Sequence, residues 1–375
     1  MASVVGRDEV EWIQVGDLVA RVIAQTCRQS GLSVVHTELL DFGGDEIYFH
    51  EEPALEGKSV GEALLAFEKS AVMGYCPAGG APRLNPPLDT VLGKGDRLIV
   101  IAEDDGKIHF TGNAFAIQEE AIAPPAVTAS VPSRTLILGW NWRGSAILHE
   151  LENYVAPGSE AVVVADAEGA EEEVRRCCSR LDRQKVSFRQ GDTTDRSTLE
   201  ELERYDHVIL LSYSDALPVQ RADARTLISL LHLRDIAEKR GCRFSIVSEV
   251  LDTRNRNLAE ITRADDFIVS ERLVSLMLAQ VSENKALNAV FADLFDPEGS
   301  EIYLKPAGLY VNPGQPVSFY TVVEAARRRG EVAIGYRRVE LAHDAERSYG
   351  VVINPAKSEP VGLGQDDRVI VLAEE

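Results

Sequence analysis

The stretch LILGWNWRGSAILHEL, residues 136–151, holds the residues whose types and spacing come nearest to a binding chemistry. Gly139 closes an apolar run and Gly144 opens a helical pattern. In the GxGxxG dinucleotide turn the same arrangement sets backbone amides of a helix N-terminus around a pyrophosphate. The middle position, where a second glycine lets the backbone approach the phosphates, is Asn141 here, so the motif reads GxNxxG. Asp166 ends the next apolar run, 27 residues after Gly139, close to the ~20 expected of an acid that hydrogen-bonds an adenosine ribose. Asp192 and Ser212 close the third and fourth runs on the same edge, and Arg143 is a candidate phosphate contact. The competing reading is structural: the glycines permit a tight turn, Arg143 is a solvated arginine at a helix start, and Trp140 and Trp142 pack. Both readings stay open at this level.

A second group is acidic. Asp41, Asp45 and Glu46 fall in one hairpin, and Asp296, Glu298 and Glu301 fall in another. Hard oxygen ligands in a loop suit Ca²⁺, although the spacing is not that of an EF-hand and solvated turn acids are the alternative. Ser248, Glu249 and Asp252 sit at a strand end and carry the same two readings. Catalytic patterns are missing. None of the ten tyrosines has a lysine four residues on, GWNWRGS lacks the P-loop lysine, and there is no GxSxG elbow. His36, His50, His109, His207, His232 and His343 are scattered, and the His149–Glu150 pair has no second histidine. No catalytic residue is assigned and no enzymatic turnover is expected.

The elements that must position these residues follow from the apolar runs. RTLILGW, AVVVAD, KVSFRQGD, HVILLSYSD, RFSIVSEV and DFIVSE read as strands. Helical stretches lie between them at 144–154, 171–181, 197–202, 221–239 and roughly 254–262. Six strands alternating with five helices imply right-handed crossovers and a doubly wound, Rossmann-like parallel sheet over 134–270. Ahead of it, AIAPPAVTASVPS is too poor in large apolar side chains to form a core and marks 106–133 as a linker.

The rest of the chain is duplicated. An offset of 255 aligns Trp12–Tyr48 with Phe267–Tyr303 without a gap, and thirteen of the 37 positions are identical. The echo continues as MGY (73–75) against IGY (334–336), LNP (84–86) against INP (353–355) and DRLIVIAE (96–103) against DRVIVLAE (367–374). Each copy predicts a long helix followed by a small α+β module of short strands, 1–105 in the first copy and 294–375 in the second, with 271–293 as the connecting helix. In the first copy no sheet precedes the helix. Its leading strand would leave backbone groups unpaired, so that segment either docks elsewhere or belongs to a larger unit.

Composition bounds the partners. With 375 residues, a net charge of −21 and a 45% apolar fraction, the chain has room for two or three cores. It is repelled by nucleic acid and by anionic membrane surfaces. No apolar run approaches the ~20 residues that span a bilayer. Five cysteines without CxxC spacing fit a reducing cytosol.

The words LILGWNWRG, YVAPGSE, RTLISLLHLRDI, SEVLDTRNRNL, DFIVSERLVSLMLAQVSENK, LFDPEGSEIYLKPA and VAIGYR are similar to the cytosolic region of the CASTOR/POLLUX ion-channel family. The resemblance covers nearly all of 12–374. It implies RCK (KTN/TrkA-type) gating units, each a Rossmann lobe, a crossover helix and a C-terminal lobe. Residues 1–105 would then be the tail of a first unit and 134–375 a whole second unit. It further implies a cytoplasmic homo-oligomer, dimers building toward a tetrameric ring, that acts on the pore of a membrane cation channel. Related RCK proteins bind NAD or adenine nucleotides, and Ca²⁺ regulates some family members. The family fingerprint carries over to Gly139, Gly144 and Asp166, while Asn141 departs from it. The alternative function is a soluble NAD(P)-dependent oxidoreductase or nucleotide-binding protein.

Overall fold

A computed structural model describes residues 15–112, 115–125, 131–200, 205–241, 244–255, 258 and 266–374. The chain divides into two compact units, one drawn from 14–33 and 128–275, the other from 34–127 and 276–375. The positions equivalent to the leading strand of the second copy, 11–14, and most of the helix expected at 254–262 lie outside the described residues.

In the unit drawn from 34–127 and 276–375, which holds both lobes, the duplication becomes geometry. The first antiparallel sheet holds β1 (Glu46–His50), β2 (Ala71–Cys76), β3 (Arg83–Leu84) and β4 (Arg97–Ala102) in the order β1-β4-β2-β3. Both β2 and β4 are buried almost throughout, because a short apolar run in the middle of a packed sheet is covered on both faces.

The other unit is built on a six-stranded sheet of β5 (Arg134–Leu138), β6 (Ser159–Ala165), β7 (Gln184–Gln190), β8 (His207–Leu210), β9 (Ser245–Val250) and β10 (Asp266–Val269). All neighbours are parallel and the order is β10-β9-β8-β5-β6-β7. The chain starts in the middle at β5, winds outward to β7, and returns to β8 on the other side of β5. The carboxyl ends of β5 and β8 are therefore the reversal point of the sheet, where open α/β sheets bind their ligands. Helices Gly144–Tyr154, Ala170–Cys177 and Val219–Arg240 serve as crossovers, the last ended by Gly241 at φ +62°. Leu136, Leu138, Val208, Leu210, Leu230 and Leu233 form the core between sheet and helix.

Helix Val15–Arg28 belongs to this unit. It packs against helix Gly144–Tyr154 and against β8, β9 and β10. Right-handed crossovers place 144–154 and 170–177 on one face over β5–β7, which leaves that face bare over β8–β10. The amphipathic helix fills the gap, burying Val19, Ala20, Val22, Ile23, Ala24 and Cys27. The first copy of the repeat thus docks its helix on a sheet that follows it in sequence. Gln25 Nε2 donates to Tyr154 Oη at 3.5 Å, and Ser245 Oγ donates to the Cys27 carbonyl at 2.7 Å. Beyond the helix, the Asp266 carboxylate accepts from Gly31 N at 2.7 Å and Ser33 N at 3.1 Å, an anion on the amides that open the next helix, Leu32–Leu40.

The second lobe, in the unit drawn from 34–127 and 276–375, comprises β11 (Glu301–Pro306), β12 (Val317–Ser318), β13 (Val332–Arg337), β14 (Val351–Ile353), β15 (Pro360–Val361) and β16 (Arg368–Ala373). Its main sheet runs β11-β16-β13-β14, the same topology as β1-β4-β2-β3. Even the register repeats: Glu46 pairs Ala102 and Glu301 pairs Ala373. Gly74 and Gly335 each mark a β-bulge against the central strand. Asn85 and Asn354 each take positive φ, +38° and +47°, and each donates its amide back to the bulged strand, to Met73 O and Ile334 O. Ser59 and Ser318 each cap a helix N-terminus. The stretch 106–133 is docked along its middle. Gln118 N donates to Thr321 Oγ1, Ile122 bridges Val311, and Phe115 stacks on Tyr320 with 3.8 Å between centroids.

Candidate functional site

The turn between β5 and helix Gly144–Tyr154 stands at the reversal point of the parallel sheet. Gly139 takes φ +88°, and a Cβ there would lie 2.2 Å from the Leu211 carbonyl oxygen, so only glycine fits. A Cβ on Gly144 would lie 2.6 Å from Trp140 Cζ3, which explains the second glycine. Trp140 is buried, and its indole Nε1 donates to Glu173 Oε2 at 2.9 Å.

Asn141 occupies the middle position of the motif and is 2% exposed. Its Nδ2 donates to the Ser212 carbonyl and to Glu249 Oε2, both at 2.8 Å. Ser212 N also donates to Glu249 Oε2, at 3.1 Å, and Arg143 Nη1 reaches Glu249 Oε1 at 2.7 Å. The Glu249 side chain is fully buried and Arg143 nearly so. A carboxylate without solvent needs such partners, and here Asn141 and Arg143 of the turn and the Ser212 amide after β8 supply them. The structure therefore brings Gly139, Asn141, Arg143, Gly144 and Ser212 together, and it adds Glu249 at their centre.

The remaining two residues form a neighbouring group. Asp166, half exposed at the end of β6, and Asp192, after β7, share Arg225, whose Nη2 lies 4.0 Å and 2.8 Å from them. The guanidinium also stands 4.3 Å from the Tyr213 ring centroid. Tyr213 Oη in turn accepts from Asp166 N at 3.2 Å. The Thr194 backbone amide, followed by its hydroxyl and by Arg225, holds the Asp192 carboxyl below its usual range despite partial desolvation. Arg225 and Tyr213 escape sequence reading, since one sits in a helix and the other in a loop with no motif around it.

The dinucleotide fit can be tested on these contacts. Trp142 N donates to Asp215 Oδ2 at 2.7 Å, Arg143 N donates to Asn141 Oδ1 at 3.0 Å, and Gly144 N donates to Asn141 O at 2.9 Å. The three amides that lead into the helix already have acceptors from the chain itself, one of them a carboxylate. A pyrophosphate does not fit the turn in this arrangement.

The six hairpin acids do not converge. Asp41 accepts from Gly43 N and Asp296 from Glu298 N, each within its own turn. Asp45 meets Asn354 Nδ2 at 3.4 Å; burial, with Glu103 and Glu38 nearby, raises its carboxyl above the usual range. Glu46 lies 3.5 Å from Gln280 Nε2, and Glu301 accepts from the Tyr303 hydroxyl. Glu298 is exposed. Among the described residues no group of three or more His, Cys, Asp or Glu is placed to hold a metal ion. The sequence suggested a Ca²⁺ loop because the acids are close in the chain; the turns spend them on backbone and neighbour instead. No described helix is long and apolar enough to cross a membrane.

A family model described as Castor and Pollux, part of voltage-gated ion channel, matches residues 16–117. The ion channel CASTOR of Lotus japonicus is 32% identical over 95% of this chain and 45% of its own length. The probable ion channel POLLUX of Arabidopsis thaliana is 30% identical over all of this chain and 49% of its own length. The chain belongs to the CASTOR/POLLUX family. It spans about half the length of the curated CASTOR and POLLUX relatives it matches. This CASTOR/POLLUX chain also has the fold of the human SLO3 gating ring, with a TM-score of 0.68 at 13% identity, over 98% of this chain and 78% of that one. The α/β architecture, one Rossmann-like sheet with two related C-lobes, is thus of the RCK type.

Proposed function

We propose that this chain is the regulatory module of a cation channel, placed on the cytosolic face of the membrane, where it senses a ligand and transmits the signal to a pore without enzymatic turnover. The observation that carries the reading is similarity along the whole chain to proteins named as ion channels. The gating-ring fold agrees with it. In this reading 1–105 is the end of a first RCK unit, 106–133 the connection, 134–270 the Rossmann lobe, 271–293 the crossover helix and 294–375 the second C-lobe. Copies of the chain pair into dimers and build toward a tetrameric ring. A ligand shifts such a module only by the difference between its affinities for two conformations, so the site must lie where the conformations differ. NAD, an adenine nucleotide and Ca²⁺ are the ligands to try.

The test is electrical. The matching half of a CASTOR-type channel is replaced by this chain, and single-channel currents are recorded in planar bilayers with Ca²⁺, NAD or ATP on the cytosolic side. The expected result is a conducting chimera whose open probability responds to at least one of the three. A chimera that conducts with no response, or an isolated chain that oxidises NADH or NADPH catalytically with a small-molecule acceptor, overturns the proposal. The latter would establish the oxidoreductase instead.

A further inference from the structure

We infer that the turn Gly139–Gly144 is a clamp that seats helix Val15–Arg28 on the parallel sheet, and that it is closed to the pyrophosphate of a dinucleotide. Two independent sets of contacts carry this. The first is internal satisfaction. Asp215 holds the Trp142 amide, and Asn141 holds the amides of Arg143 and Gly144 through its side chain and its carbonyl. The place where a dinucleotide turn keeps a glycine is filled by the buried Asn141 side chain, which is anchored to Ser212 and Glu249. Arg143, the one nearby cation on the turn, is paired to Glu249. A pyrophosphate would arrive with two negative charges beside the carboxylates of Asp215 and Glu249. It would have to expel the first of them from its amide.

The second set points outward from the same turn. A Cβ on Gly16 would lie 2.2 Å from Trp142 Cη2 and 2.4 Å from Cζ3. The indole therefore rests directly on the backbone of the helix's first turn, and the Arg143 guanidinium covers the ring at 4.5 Å from its centroid. Asp215 fixes the Trp142 backbone, and Arg143 and Gly16 flank the ring of this residue, which is otherwise 52% exposed. The features that block the phosphates are the ones that aim the tryptophan. Farther along, Arg21 Nε lies 3.5 Å from Glu150 and Gln25 meets Tyr154, so the two helices remain in register from this contact onward.

This inference stands whether or not the chain regulates a channel, and its test uses the full chain with two readouts. Calorimetric titration with NAD⁺, NADH and ATP, each to about 1 mM, is expected to show no saturable heat. Amide hydrogen exchange is then compared between the wild type and Trp142→Ala, with Gly16→Val as the second variant. Exchange over 18–28 is expected to quicken at least about tenfold in both, while β5 and β8 stay protected. Saturable binding of a nucleotide to the wild type that also slows amide exchange over 142–144 overturns closure of the turn, whereas binding that leaves those amides unchanged places the nucleotide elsewhere and upholds it. Unchanged exchange over 18–28 in a folded variant overturns the clamp. Should one variant fail to fold, the other carries the measurement.

Discussion

Lys357, from the second C-lobe, places its ammonium 2.5 Å from the Phe67 carbonyl oxygen of the first lobe, and it also donates to Ser70 O. The side chain is fully buried. Its counterpart in the first copy is Leu88, three residues past Asn85 as Lys357 is three past Asn354. The two lobes are therefore alike in fold but not in how they grip each other. Burial lowers the Lys357 pKa to about 7, and the nearby Glu68 works weakly against that shift. Glu68 itself accepts from Ser358 N and Oγ, and Lys69 contributes its carbonyl to Asn354.

A lysine with a folded-state pKa below its ordinary value of 10.5 binds fewer protons folded than unfolded between about pH 7 and 10.5. Stability should therefore rise with pH across that window, by at most about 1.4 kcal/mol per pH unit. The two carbonyls, which favour the ammonium, make the slope smaller. Lys357→Met should flatten the slope. Urea unfolding at several pH values between 7 and 10 checks it, and parallel curves for the two proteins would remove Lys357 as the cause.

His36 predicts the opposite end of the scale. Its ring is 1% exposed beside Phe295, 5.0 Å between centroids, and neither nitrogen has a hydrogen-bond partner among the described residues. Burial alone lowers its pKa to about 3. The neutral ring is needed in the fold, so the stability present above about pH 6.5 should be lost as pH falls toward 3. His36→Leu should resist acid better than the wild type in a thermal melt at pH 5. An equal drop in both would place the acid sensitivity elsewhere.

The bulge glycines give a paired experiment. A Cβ on Gly74 would lie 2.1 Å from Arg83 O, and one on Gly335 would lie 2.2 Å from Val352 O. Backbone cannot yield as a flexible side chain does, so Gly74→Ala and Gly335→Ala should each cost about 1–3 kcal/mol. Chemical denaturation measures both. Similar losses are expected because the strand pairing around each is the same, and a neutral Gly335→Ala would show that the bulge is not held by packing.

Glu249 and Arg143 form a buried pair, and removing one partner leaves the other charge uncompensated. Glu249→Leu should cost about 3–5 kcal/mol. The double variant with Arg143→Met should lose less than the two single variants added together. A double-mutant cycle reads the coupling, and strict additivity would mean the pair contributes nothing as a pair.

Much of this protein is written in short-range pattern. The alternation of apolar runs with helical stretches announces a doubly wound sheet, because a strand buried on both faces must be apolar wherever it occurs. The duplication announces two lobes of one topology, since Gly74 and Gly335, or Asn85 and Asn354, meet backbone demands that are local and identical. Gly144 is legible for the same reason, since its steric limit is Trp140, four residues away; Gly139 is legible by its motif, although the carbonyl it must clear belongs to Leu211, just past β8, and is brought up by the fold. Asp215, Glu249, Arg225 and Tyr213 are not legible as a site, because they come from the loop after β8, the helix that follows it and β9, and acquire meaning only when the sheet sets them beside β5 and β6. The acids of the two hairpins err in the other direction, being adjacent in the chain yet turned to separate partners. The placement of helix Val15–Arg28 was also beyond any motif. Its apolar stripe calls for a surface, but which surface depends on the face that right-handed crossovers leave uncovered more than a hundred residues later, and that is a property of the folded sheet.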